Sequence, residues 1–304
     1  MKIKLIDFKK KAEQFYENGQ YDKAYEFFEK ALIYSDDETK IAILFAQALM
    51  NDEIEEYEKA LNKFKRIVQI DPQEPGAYYG IAMELEKLED YDNAIIYYKK
   101  SIELNPYYDR AYFFLANLYD NLNDYEKAIE YYNYVLNLVD DDFMAYNNLG
   151  AIYENTDRFE EAIDALDKSI EIEPNYFRSY FNKGVVYGRL KEYDKAIEQY
   201  YESLKRNPGY SFNYLNLSAL YIERNMYQKS VNILNKGIEK SEDNLANLYY
   251  NRACSYIKMG ITNLALRDLN QSIIINPDIA DYAKKDEDFK NISESKIFKQ
   301  IVGV

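Results

Sequence analysis

The chain has 304 residues but only 10 Gly and 6 Pro, too little punctuation for a fold of many tight turns and short strands. It is 47% hydrophobic with 34 Tyr and 15 Phe, enough apolar surface to exclude wholesale disorder. Its 38 Lys and Arg against 53 Asp and Glu leave a net charge of −15, a field that repels phosphate polyanions, so nucleic acid is not an expected partner.

No histidine occurs, which removes the usual general base near neutral pH, the Ser-His and Cys-His nucleophile pairs and the commonest zinc ligand. An enzyme, a cofactor and a metal are therefore not expected. Cys254 stands alone, which suits a reducing compartment. The first residues, MKIKLIDFKKKAEQF, hold lysines but no uninterrupted apolar segment, and no apolar run elsewhere approaches the ~18 residues of a membrane span. The expectation is a soluble cytoplasmic protein with no membrane partner.

Taken in order, the chain repeats itself. Pro72, Pro106, Pro174, Pro208 and Pro277 are separated by 34, 68, 34 and 69 residues. Ala24, Ala60, Ala94, Ala128, Ala162, Ala196, Ser230 and Ala265 step by 36, 34, 34, 34, 34, 34 and 35. Numbering a unit so that this alanine is position 20 and the proline position 32 predicts eight units: 5–38, 41–74, 75–108, 109–142, 143–176, 177–210, 211–244 and 246–279. Position 4 is Phe8, Leu44, Tyr78, Tyr112, Tyr146, Tyr180, Tyr214 and Tyr249, and position 11 is aromatic in six units, so these lie on one stripe of a first helix, A.

Position 8 is always small: Ala12, Ala48, Ala82, Ala116, Gly150, Gly184, Ser218 and Ala253. The spacing predicts that it faces the small position 20 of a second helix, B, while position 24, as in Phe28, Phe64, Tyr98 and Tyr132, fills the adjacent layer. Helix B is expected to stop at the proline.

Tyr180, Gly184, Tyr187, Tyr193, Ala196, Tyr200 and Pro208 resemble the tetratricopeptide repeat, a 34-residue helix-turn-helix unit, and the likeness runs from residue 5 to 279. Tyrosine stands where that family has tryptophan at position 4. Asn51 at position 11, Ser230 at position 20 and Thr262 at position 17 depart from the pattern locally. The implied fold is all-α: a right-handed superhelical α-solenoid of eight such units, with residues 280–304 as C-terminal capping helices carrying Phe289, Ile292, Ile297, Phe298, Ile301 and Val302.

The resemblance also implies a concave groove lined by helix A, mainly at positions 2, 5, 6, 9, 12 and 13, that binds protein or peptide. Here position 5 includes Tyr79, Phe113, Asn147, Phe181 and Tyr250, and position 6 carries Asn148, Asn182, Asn216 and Asn251. Aromatic faces beside an amide ladder suit capture of a polypeptide backbone. Each of these residues also has a packing reading.

Arg110 and Arg178 at position 2 and Arg189 at position 13 are the cations expected to hold an acidic segment or a free carboxylate, with solvation or a neighbouring carboxylate as the alternative. The family's carboxylate clamp is matched only in part, by Asn117, Asn148 and Arg178, since Phe113 and Asn182 stand where it has cations. The acidic runs at 36–38 and 140–142 lie at unit junctions, where they are expected to cap the next helix. Cys254 is expected to be a small packing residue.

The leading expectation is a non-catalytic interaction scaffold with a groove formed by these residues. The alternative is a structural protein that stacks into a homo-oligomer.

Overall fold

A computed structural model describes residues 2–303, apart from the Lys2 side chain; Val304 of the expected tail lies outside the described residues. The described residues are helical throughout, with turns between, and fall into two compact units that divide between Asp141 and Asp142. The first unit runs α1 Lys2–Glu17, α2 Tyr21–Leu32, α3 Asp37–Glu53, α4 Tyr57–Ile70, α5 Pro75–Lys87, α6 Tyr91–Leu104, α7 Asp109–Asn121 and α8 Tyr125–Leu138. The second runs α9 Phe143–Asn155, α10 Phe159–Ile172, α11 Phe177–Arg189, α12 Tyr193–Arg206, α13 Ser211–Glu223, α14 Tyr227–Lys240, α15 Leu245–Lys258 and α16 Thr262–Ile275. It ends in α17 Ile279–Ala283, a 3-10 helix Glu287–Ile292 and α18 Lys296–Val302.

Consecutive helices pair as A and B, and a recurrent turn sets each pair. Position 15 has positive φ, between 57 and 75°, at Gly19, Glu55, Glu89, Asn123, Asp157, Lys191, Asn225 and Gly260. One residue on, a backbone N–H bonds back across the turn, as in Asp90 N to Leu85 O at 2.8 Å and Glu192 N to Tyr187 O at 2.9 Å. This is the left-handed helix stop in which a six-residue bond satisfies an orphan carbonyl. Six of the eight sites carry a non-glycine residue, so the turn is not announced by glycine.

Helix B ends two residues before position 32. Asp71, Asn105 and Asn207 adopt extended backbone before prolines, but Val139 does the same before Asp140. Proline therefore reinforces this exit without being required for it. Among the acidic junctions, Asp36 accepts from Thr39 N at 3.0 Å, and Asp142 accepts from Met144 N and Ala145 N at 2.9 Å, each capping the helix that follows.

The small positions are all buried, and position 24 lies close against position 8 where that residue is glycine. A Cβ built on Gly150 would lie 2.5 Å from Leu166, and one on Gly184 would lie 2.6 Å from Tyr200. At these two glycines the space left by position 8 is filled by position 24 of the same pair, bulky into small. Phe64, also at position 24, lies against Gly80 of the next pair, where a Cβ would be 2.4 Å from its ring. One bulky residue therefore packs within its own pair and against the next.

Two hydrogen-bond patterns join the pairs. A serine on helix B donates to the first carbonyl of its own helix A: Ser101 to Pro75, Ser169 to Phe143, Ser203 to Phe177 and Ser272 to Ala246, at 2.7–2.9 Å. The position 4 tyrosine donates to the proline carbonyl of the preceding loop, Tyr78 to Pro72 at 3.2 Å, Tyr180 to Pro174 at 3.3 Å and Tyr214 to Pro208 at 2.7 Å. At the end of the second unit, Phe289, Phe298 and Val302 are buried with Tyr250, Ala253, Cys254 and Leu269. Burial raises the Cys254 thiol pKa far above its ordinary value.

Two stability measurements check this packing. Gly184→Ala forces a methyl into the Tyr200 ring and should lower stability by about 1–3 kcal/mol, read from urea unfolding; a neutral result would show that the seat is not tight.

Glu84 on α5 is 2% exposed, its Oε2 has no partner, and burial raises its pKa to about 7, against the pull of Lys87 at 3.9 Å. The folded chain holds this proton more tightly than the unfolded one, so the contribution of Glu84 to stability declines as pH rises from the ordinary 4.5 to about 7. Glu84→Gln should therefore gain about 1–3 kcal/mol over the wild type at pH 8, with the gap closing toward pH 4.5. An equal gap at both pH values would contradict the assignment.

Candidate functional site

The aromatic residues expected to line a groove fall into one cluster in the first unit and two in the second. In the first, the Tyr79 ring lies 5.3 Å from Tyr108 and 5.8 Å from Phe114, and Phe114 lies 5.8 Å from Phe113. Phe113 meets Tyr132 edge-on at 5.7 Å, and the Tyr132 hydroxyl donates to Asn117. Tyr79, Phe113 and Asn117 thus belong to one connected patch. Burial pushes the Tyr79 hydroxyl pKa up, and the nearby Arg110 opposes that shift. Arg110 is exposed, with no ion pair among the described residues.

In the second unit, Asn147 is buried at 4% exposure and is an internal acceptor. Its Oδ1 accepts from Asn182 Nδ2 at 3.0 Å and from Ser179 Oγ at 3.3 Å, while its Nδ2 donates to Asn148 Oδ1 at 3.1 Å. Three of the predicted amides are therefore brought together, and Asn147 serves the other two from within. Asn216 is half-buried, and Asn251 donates to Ser218 at 3.4 Å.

Phe181 meets the Tyr210 ring at 5.1 Å and 90°, and Phe212 lies 5.5 Å from Tyr210. Arg178 is exposed, 5.9 Å from the Phe177 ring, and opposes the burial that raises the pKa values of Tyr176 and Tyr210. No ion pair involves Arg178 among the described residues. Arg189 has a different fate: it bonds Glu154 at 2.6 Å and also Asp157, so its guanidinium is held by its own chain.

Tyr250 is 8% exposed; its hydroxyl donates to Asp286, and Tyr282 and Phe289 cover its ring. The closing helices thus occupy the surface through which Tyr250 would meet a ligand. The residue-by-residue reading passed over Met144 and Phe212, which share position 2 with Arg178 and are 43% and 44% exposed. The available signal was an apolar side chain at a lining position.

The resulting second-unit surface has one uncommitted guanidinium, exposed apolar groups on either side of it in the repeat register, and amides already oriented by Asn147. It can hold a carboxylate by charge, pack on side chains and hydrogen-bond a backbone. No helix among the described residues is long and apolar enough to cross a membrane.

Tetratricopeptide repeat models match residues 75–108, 109–138 and 141–208. No curated protein gives a significant match. Among solved structures, the MamA protein is 28% identical with a TM-score of 0.50, over 56% of this chain and 92% of that one. A tetratricopeptide repeat protein from Parabacteroides merdae is 16% identical with a TM-score of 0.63, over 88% of this chain and 100% of that one. YrrB, described as a TPR protein with an unusual peptide-binding site, is 20% identical with a TM-score of 0.51, over 61% of this chain and 95% of that one. With matched repeats, paired helices and a 34-residue register of small and bulky side chains in agreement, residues 75–138 and 141–208 are tetratricopeptide repeats, and the other paired helices keep the same register.

Proposed function

We propose that the protein is a non-catalytic scaffold of eight repeats that binds a protein or peptide along its A helices. The observation that carries this reading is Arg178, exposed and without an ion pair among the described residues, in an acidic chain that engages Arg189, Arg206, Arg224 and Arg252 with its own carboxylates. A cation kept in water beside the Tyr176 and Tyr210 rings is available to an acidic side chain or a terminal carboxylate. Met144 and Phe212 add apolar contact, and Asn148 and Asn182 add amide groups that read a backbone without fixing its side chains. The description of YrrB as peptide-binding agrees with this use of the fold.

The structure also dictates how the test is built. Phe113 is packed edge-on against Tyr132, so removing it would damage the fold; Phe212 is exposed and is the better target. Partners co-purified with the wild type and identified by mass spectrometry should be lost, at least about tenfold, when Asn148, Arg178 and Phe212 are all replaced by alanine, with helical content and melting unchanged. Undiminished recovery of every partner by that folded variant would refute the reading.

A further inference from the structure

A cavity of about 380 Å³ opens in the first unit, walled by Met83 of α5 and Phe114 and Leu118 of α7, with Glu86 and Asn121 among its polar groups. The register explains what is unusual about it. Position 12 carries an acid in four successive repeats: Asp52, Glu86, Asp120 and Glu154. In two cases a cation at position 13 of the following repeat answers that acid. Lys87 pairs with Asp52, and Arg189 pairs with Glu154 at 2.6 Å.

The pattern breaks at Asp120, followed by Asn155, and at Glu86, where position 13 of the following repeat is Asn121; of the two acids only Glu86 lines the cavity. The only hydrogen bond to Glu86 among the described side chains comes from the Tyr98 hydroxyl at 2.9 Å. Burial raises the pKa of Glu86, against the opposing pull of the Tyr98 hydrogen bond and the Lys87 charge. Lys87 lines the same cavity, but its ammonium pairs with Asp52, lies 3.9 Å from Glu84 and sits 5.3 Å from the Tyr57 ring. The cavity therefore holds one half of a motif that is complete elsewhere in the chain.

We propose that this cavity receives a lysine or arginine side chain from a bound polypeptide, which supplies to Glu86 the cation that Lys87 and Arg189 supply to Asp52 and Glu154. Both side chains have an aliphatic stem that suits Met83, Phe114 and Leu118 and a charged head that suits the carboxylate. Tyr91, which also lines the cavity and is exposed, adds attraction for a cation. Residues 1–141 contain 17 Lys and Arg against 29 Asp and Glu, which places −12 of the total −15 in this part of the sequence and favours a basic segment on approach. The inference rests on the polypeptide-binding reading and adds a basic anchor residue to it, separate from the Arg178 surface.

Hexalysine is the probe, titrated calorimetrically at physiological salt while the Met83 methyl resonance is followed by NMR. The wild type should bind and the Met83 signal should shift. Glu86→Gln, which keeps an acceptor for Tyr98, and Asn121→Lys, which places a cation beside Glu86 from within the chain, should each weaken binding by at least about fivefold. Glu58→Gln, which removes the same charge from an exposed site in the same unit, should change binding by less than about twofold. Native helical content in each variant keeps the comparison valid. The proposal is overturned if the wild type does not bind, if Met83 does not respond, or if Glu86→Gln and Asn121→Lys behave like Glu58→Gln. None of these variants touches Asn148, Arg178 or Phe212, so failure here with loss of partners there would remove the basic pocket alone.

Discussion

A bulky side chain at position 24 needs a place to go, and in the pairs built on Gly150 and Gly184 that place is the surface the glycine leaves bare at position 8. Tyr200 over Gly184 and Leu166 over Gly150 leave no room for a methyl group. Packing at interior density makes this contact selective, because a wider residue at position 8 displaces the ring and a narrower one at position 24 opens a void. The same residue can reach the following pair, as Phe64 does at Gly80, so the contact that closes one hairpin also seats the next. Stability then accumulates through neighbours, as it must in an architecture whose single hairpin cannot bury its own apolar face.

Hydrogen bonds supply the alignment that apolar contact cannot. The helix B serines fix the start of helix A, and the position 4 tyrosines tie it to the preceding loop. Tyrosine at a position where the family has tryptophan is therefore more than a size substitution. Its hydroxyl reaches a proline carbonyl that has no neighbouring amide from a continuing helix to satisfy it.

The same logic separates residues that serve the fold from those free to serve a partner. Arg178 and Arg189 lie on one helix, yet Arg189 finds Glu154 and Asp157 while Arg178 finds aromatic edges and water. Asn147, Asn148 and Asn182 share a residue type, yet Asn147 is buried and spends its amide on its neighbours, holding the more exposed pair in orientation. Tyr250 has the position of a groove residue and the environment of a core residue, because the closing helices cover it and Asp286 accepts its hydroxyl hydrogen bond.

Period and side-chain volume along the chain were sufficient to define paired helices, since a 34-residue recurrence of small and large residues admits few other ways of burying the apolar stripes. The acidic junctions were legible for a similar reason, as an Asp just ahead of a helix caps it by local geometry alone. The left-handed turn at Glu89 or Lys191 was not legible, because the favourable packing of two helices outweighs the local cost of a Cβ there and leaves no glycine as a sign. Whether an arginine or an asparagine is free or committed was likewise decided in three dimensions, by carboxylates and amides that come into reach only when residues some 34 positions apart are folded side by side.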